Sequence, residues 1–223
     1  MHIPDGFLDP KTAVAAAVLS AGALGYAVKQ TKEVLDDRQV PLMGVAAAFI
    51  FAAQMVNFPV AAGTSGHLIG GTLAAVTFGP WPAVLIMSAV LIIQCFVFQD
   101  GGLSALGGNI LLMAVIAPLV GYLFYSLLAG AGESRLRVLG STFLAGWLST
   151  ITASFVCALM LAAANMVALK TALVAMVGWH TLIGLGEGLI TALVVSYLLK
   201  VKPALVRGYQ GTLGERQVPE HVS

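Results

Sequence analysis

Gly66-His67-Leu68-Ile69-Gly70-Gly71-Thr72-Leu73-Ala74-Ala75-Val76-Thr77-Phe78-Gly79-Pro80-Trp81-Pro82-Ala83, continued in apolar residues to Phe98, is the stretch on which the fold turns. As one helix it would be too long for a single membrane crossing. Gly79-Pro80-Trp81-Pro82 divides it, because proline donates no helix hydrogen bond and its ring clashes with the preceding turn. We read a short span over 66–78 and a second over 83–98. At about 1.5 Å per residue the short span covers roughly 20 Å of a hydrocarbon core about 30 Å thick. Gly66 and His67 should therefore lie below the outer surface. Non-helical backbone is tolerated at that depth only where it is buried in protein or lines a cavity. The preceding 59–66 segment, Pro-Val-Ala-Ala-Gly-Thr-Ser-Gly, has turn composition, so a depression open to the outside is expected.

The rest of the chain supports a membrane setting. Of 223 residues, 59% are hydrophobic and 9% charged, with a mean hydropathy of +0.94. Soluble domains carry about 25% charged residues, so no polar shell is left for a water-soluble surface. Apolar runs over 12–28, 40–58, 103–129, 138–167 and 171–199 add five spans to the two above. The expected fold is all-α and integral to the membrane, a seven-transmembrane-helix bundle with the N-terminus outside and inserted into the bundle and the C-terminus cytoplasmic. Basic residues test the count. Nine of the eleven (Lys29, Lys32, Arg38, Arg135, Arg137, Lys200, Lys202, Arg207 and Arg216) fall on one side, and only Lys11 and Lys170 on the other. The positive-inside rule then gives N-out and C-in. Residues 1–10 read as a segment docking on the bundle, 11–200 as the transmembrane domain and 201–223 as a polar cytoplasmic tail. No basic patch suggests nucleic acid. Cys95 and Cys157 lie inside apolar runs and read as packing residues.

The first residues, Met1-His2-Ile3-Pro4-Asp5-Gly6-Phe7-Leu8-Asp9-Pro10, lack the basic start of a secretory signal, so the N-terminus is expected to survive. The Met1 α-amine, the His2 backbone nitrogen and the His2 ring can wrap one metal ion in fused chelate rings. This supplies three nitrogens and leaves the fourth corner of a square open. Square-planar nitrogen coordination suits Ni(II) or Cu(II), whereas zinc prefers a tetrahedron. Ligand deprotonation should make capture weaken at low pH. Pro4, Gly6 and Pro10 stiffen the segment, and Ile3, Phe7 and Leu8 can dock it, within reach of the depression at His67. An ionisable residue inside a membrane is a functional candidate by default. Against it, His67 at a helix start would face a positive dipole.

Three pieces together resemble the CbiM/NikM family, the substrate-binding subunits of nickel and cobalt energy-coupling-factor transporters: Met1-His2-Ile3-Pro4-Asp5-Gly6-Phe7-Leu8, Gly66-His67-Leu68-Ile69-Gly70-Gly71 and Gly184-Leu185-Gly186-Glu187-Gly188. The resemblance implies a seven-helix bundle whose N-terminus inserts from outside. It implies Ni(II) or Co(II) as the transported ligand, held by the Met1 amine, the His2 amide and ring nitrogens and the His67 ring. It also implies partners: a transmembrane coupling subunit, two cytoplasmic ATPase subunits and often a small accessory membrane subunit. No GxxxxGK[ST] loop is present, so ATP hydrolysis would belong to those partners.

Other residues are weaker candidates. Asn57, Thr64 and Ser65 flank the depression and could orient the ligands, or simply cap loops. His180 is expected near the outer face, and Glu187 lies within an apolar span with no evident partner. His221, in the tail, reads as solvated. Two stripes of small residues, Ala13-Ala17-Ala21-Gly25 and Gly44-Ala48-Ala52, suit close helix contact, either within the bundle or with a partner. An enzymatic alternative is a rhomboid-like intramembrane serine protease, with Ser65 in Gly63-Thr64-Ser65-Gly66 as nucleophile and His180 as base. It leaves the N-terminal octapeptide unused. A self-contained channel or secondary transporter would call for paired intramembrane charges or inverted repeats, and the sequence offers neither.

Overall fold

The computed structural model describes residues 1–34, 39–56, 58–60, 64–130, 132 and 134–210. Seven helices follow one another in the described chain: α1 Pro10–Val34, α2 Val40–Gln54, α3 Gly71–Phe78, α4 Pro80–Phe98, α5 Leu106–Ala129, α6 Arg135–Ala163 and α7 Leu169–Val201. Five of them, α1 and α4 to α7, are long and apolar enough to cross a membrane. A two-stranded hairpin, β1 Phe58–Val60 and β2 Thr64–Gly66, pairs Phe58 with Gly66 between α2 and α3.

The break in the deciding stretch falls at Gly79 alone, whose φ of 94° is in glycine's territory. Pro80 and Pro82 then occupy the first turn of α4, where a missing N–H costs nothing because that donor has no partner in any helix. Expecting α4 to begin at Ala83 placed the prolines outside the helix instead of in its opening turn. The short helix is shorter still than expected. Residues 67–70 are non-helical, with Gly70 left-handed at φ 80°, and α3 has only eight residues, all buried. His67 is therefore not at a helix N-terminus.

Two devices hold this short helix in the interior. At its start, the Glu187 carboxylate of α7 accepts the N–H groups of Ile69 and Gly70, both at 2.8 Å. At its end, Arg207 donates its backbone N–H to the Val76 carbonyl and its guanidinium to the Phe78 carbonyl, each at 2.9 Å. Groups that would otherwise be orphaned are thus satisfied at both ends, with charges of the sign the helix dipole favours. Glu187, which had no evident partner in the sequence, has two.

Glycines set the closest helix contacts. A Cβ on Gly188 would come 2.5 Å from the Phe143 carbonyl oxygen, and one on Gly184 would come 2.8 Å from the Trp147 ring. These two residues of the Gly184–Gly188 motif seat α7 against α6. The small-residue stripes behave differently. Gly25 and Gly44 have open space where a side chain would be, and Ala21, Ala48 and Ala52 are exposed. Ala13 is half-buried against the core, and the backbone of Ala17 passes close to Gly107 of α5. Both cysteines are buried, with reduced thiols.

Candidate metal centre

The N-terminal segment buries its first three residues and Leu8, while Asp5 and Gly6 are exposed. Met1 and Ile3 are completely buried, and His2 retains 4% exposure. The segment is bound through its backbone. Ile3 N–H donates to Asn109 Oδ1 at 2.8 Å, and the Ile3 carbonyl accepts from Asn109 Nδ2 at 3.1 Å and from Gly102 N–H at 2.9 Å. Asp5 accepts from the backbone N–H and hydroxyl of Ser104 at 2.7 and 2.6 Å. These hydrogen bonds hold the Asp5 carboxyl below the usual carboxylate range. The loop that receives the segment carries Gly101 at φ 91°, and a Cβ on Gly102 would overlap the backbone of Pro4 and Asp5. The loop must be glycine for the chain to pass so close.

Asn109 is placed by an irregularity in α5. Residues Ile110–Ile116 form a π-helical segment directly before Pro118. Proline has no N–H for the carbonyl four residues back, and a widened turn is a common response, frequent at functional sites.

The His2 and His67 rings stack with centroids 4.6 Å apart and planes 28° from parallel. Both are buried, His67 at 1% exposure, and their tautomers follow from their partners. His2 Nε2 lies 3.1 Å from the Gln94 amide oxygen, which can only accept, so Nε2 carries the proton and Nδ1 the lone pair. His67 Nδ1 lies 2.6 Å from the Leu68 carbonyl, so Nε2 carries the lone pair. Neither His2 Nδ1 nor His67 Nε2 has a hydrogen-bond partner. Two buried imidazole lone pairs without donors are costly, and a cation satisfies them. Burial pushes the Met1 α-amine down to about 4, so at neutral pH it too offers a lone pair. Asp100 Oδ1 is 3.4 Å from His2 Nδ1, bringing a carboxylate to the same point. Among the described residues no cluster of three or more His, Cys, Asp or Glu side chains is placed to hold a metal.

The remaining candidates are placed as follows. His180, expected at the interface, is fully buried, with Nδ1 2.7 Å from the Met176 carbonyl. Its Nε2 has no partner, so no described hydroxyl forms the dyad a serine protease requires. Asn57, His221 and the side chains of Thr64 and Ser65 lie outside the described residues; the backbone of Thr64 and Ser65 forms β2. Gln94, Asp100 and Asn109 were not singled out in the sequence. A polar residue inside an apolar run was the available signal for Gln94 and Asn109.

Fold and interior together define the class: a multi-pass helical membrane protein whose polar groups converge on a buried imidazole pair. The particular family follows from comparison. Residues 2–205 match the CbiM family, the cobalt uptake substrate-specific transmembrane region, and the chain belongs to that family. It is 42% identical over 92% of its length to a Haloquadratum walsbyi protein named for metal transport, 93% of which is covered. It is 31% identical to the cobalt transport protein CbiM of Salmonella typhimurium, over 94% of this chain and 88% of that one. A crystal structure of a truncated transition metal transporter superposes with a TM-score of 0.84 at 36% identity, covering 90% of this chain and 99% of the other. The chain is thus a component of a membrane metal-transport system.

Proposed function

We propose that this chain captures Ni(II) or Co(II) from outside the cell, as the substrate-binding subunit of an ATP-driven energy-coupling-factor importer. The ion is held in a square of four nitrogens: the Met1 α-amine, the His2 backbone nitrogen, His2 Nδ1 and His67 Nε2. The observation that carries this is the pair of stacked, buried rings whose hydrogen bonds leave those two ring nitrogens as unpartnered lone pairs. His2 Nδ1 is also the ring nitrogen that closes a chelate ring with its own backbone nitrogen, whereas Nε2 points away. Ionisation of the His2 amide on metal binding lowers the charge of the buried complex, and Asp100 at 3.4 Å offsets what remains. Square-planar nitrogen favours nickel over zinc.

In this reading seven helices cross or enter the bilayer, the N-terminus enters from outside, and the basic residues near 135–137 and 200–207 face the cytoplasm. A transmembrane coupling subunit and two ATPase subunits supply transport energy, with a small accessory membrane subunit completing the assembly.

One added residue ahead of Met1 tests the chelate, since it displaces the amine and leaves every helix in place. The unextended protein should bind about one nickel with a visible d–d absorption band, and the extended protein should lose both. Equal nickel and an unchanged band in the two proteins would overturn the N-terminal chelate.

A further inference from the structure

The segment that follows His67 is held from two sides. Glu187 of α7 accepts the N–H groups of Ile69 and Gly70. Gln54, the last residue of α2, reaches the same stretch: its Nε2 donates to the Ile69 carbonyl at 2.5 Å. That bond settles which end of the amide is which, because only the NH2 end can donate to a carbonyl. Gln54 Oε1 is therefore an acceptor. It belongs to a residue with no exposed surface, and it has no hydrogen-bond partner among the described residues. A buried polar atom without a partner is strongly disfavoured.

Gln54 and Glu187 both line one small cavity, walled by Leu68 and Gly70 and bordered by the apolar side chains of Phe49 and Ile190. Its volume is about 20 Å³, and one water needs about 10–15 Å³ on the same measure. Thr191 also lines it, but its hydroxyl gives its one proton to the Glu187 carbonyl at 2.6 Å. Each Glu187 carboxylate oxygen accepts one N–H and keeps a second lone pair. The cavity thus faces acceptors on two helices, and water supplies two protons. A hard divalent cation takes about six to eight oxygen ligands, more than these side chains provide.

We propose that one water molecule occupies this cavity, donating one O–H to Gln54 Oε1 and the other to the Glu187 carboxylate, so that α2 and α7 together clamp the backbone behind His67. α2 packs chiefly on α4, and the bridge ties it across to α7. The two N–H groups and the Ile69 carbonyl are then gripped by side chains that the water holds in register. Gln54 is thereby a positioning residue for His67. The bridge stands on its own, and its consequence for the metal rests on the chelate proposed above.

The test is a crystal structure of metal-free native protein at a resolution that shows ordered water, beside that of Gln54→Met, which keeps the side chain's length and loses both polar atoms. Native protein should show one peak about 2.5–3.2 Å from Gln54 Oε1 and from a Glu187 oxygen, and Gln54→Met should lose it. No native peak, a peak touching only one of the two residues, or a peak unchanged in Gln54→Met would overturn the bridge. So would a peak that gains anomalous signal when rubidium replaces sodium and potassium, since that marks a cation. Metal binding reads the consequence. By chelator competition Gln54→Met should bind nickel about tenfold more weakly, with a shifted d–d band, and native affinity with an unmoved band would overturn the positioning of His67. If Gln54→Met does not fold, the native peak alone decides. The extended-N-terminus protein keeps the two ideas apart: nickel retained there sinks the chelate, while the metal-free crystal structure judges the bridge whatever binds the metal.

Discussion

At the scale of single residues, the interior is organised by which ring nitrogen carries the proton. Gln94 fixes His2 and the Leu68 carbonyl fixes His67, so the lone pairs left over are Nδ1 of one and Nε2 of the other. Gln94→Leu removes the acceptor and frees the His2 ring. Its nickel affinity, measured by chelator competition, should fall about 10–100-fold, whereas an unchanged affinity would show the tautomer to be immaterial. Asp5 makes a different contribution, through its hydrogen bonds to Ser104. Because its folded pKa is depressed, the docking it supports is present above the ordinary carboxylate value and is lost as pH falls through the folded one. Hydrogen exchange of residues 1–9 should be faster in Asp5→Asn than in native protein at pH 7, and the difference should vanish at acid pH. His2 and His67 were legible in the sequence because ionisable groups stand out in so apolar a chain. Gln94 and Asn109 were passed over, since a neutral amide in an apolar run shows its polarity but not which ligand it positions. The burial of His180 was not legible, because distance from a helix end says nothing of which face a residue occupies.

The elements add a lesson about helix ends. Seven membrane spans were expected; of the helices described, five are long and apolar enough to cross a membrane, and the boundaries shifted wherever a side chain from a distant segment closes the helix. The start of α3 is set by Glu187, and its end by Arg207, contacts with sequence separations of more than a hundred residues. No local signal announces them. The same holds for the hairpin before α3 and for the π-helical turn of α5, although Pro118 marks where the latter must end. Glu187→Ala strands two buried N–H groups at about 1–3 kcal/mol each. Melting should drop accordingly, and nickel affinity should fall with it because the segment after His67 is released. Glu187→Gln, which keeps one acceptor, should lose less. Gly102→Ala probes the other side of the site. Its Cβ overlaps the backbone of Pro4 and Asp5, so the N-terminal segment should be expelled and metal binding lost while circular dichroism keeps its helical signature. Full nickel binding by Gly102→Ala would show that the docked segment is dispensable.

For the whole molecule, hydropathy was enough to give an all-helical membrane protein. The bundle's exposed apolar residues, among them Val14, Val18, Phe96 and Leu193, are what lipid contact requires. Orientation follows from charge alone and is open to direct mapping. Single cysteines replacing Lys170 and Arg135, in a background lacking Cys95 and Cys157, should be labelled from opposite sides of sealed vesicles, with 170 reached from outside. Labelling of both from one side would contradict the seven-span arrangement. Capture of a metal ion by the chain's own first two residues is the central claim, and nickel-edge anomalous diffraction from metal-loaded protein tests it most directly. The account predicts a single strong peak enclosed by the Met1 amine, the His2 backbone nitrogen, His2 Nδ1 and His67 Nε2, in one plane. A peak elsewhere in the bundle, or one at the rings with Met1 turned away, would contradict it.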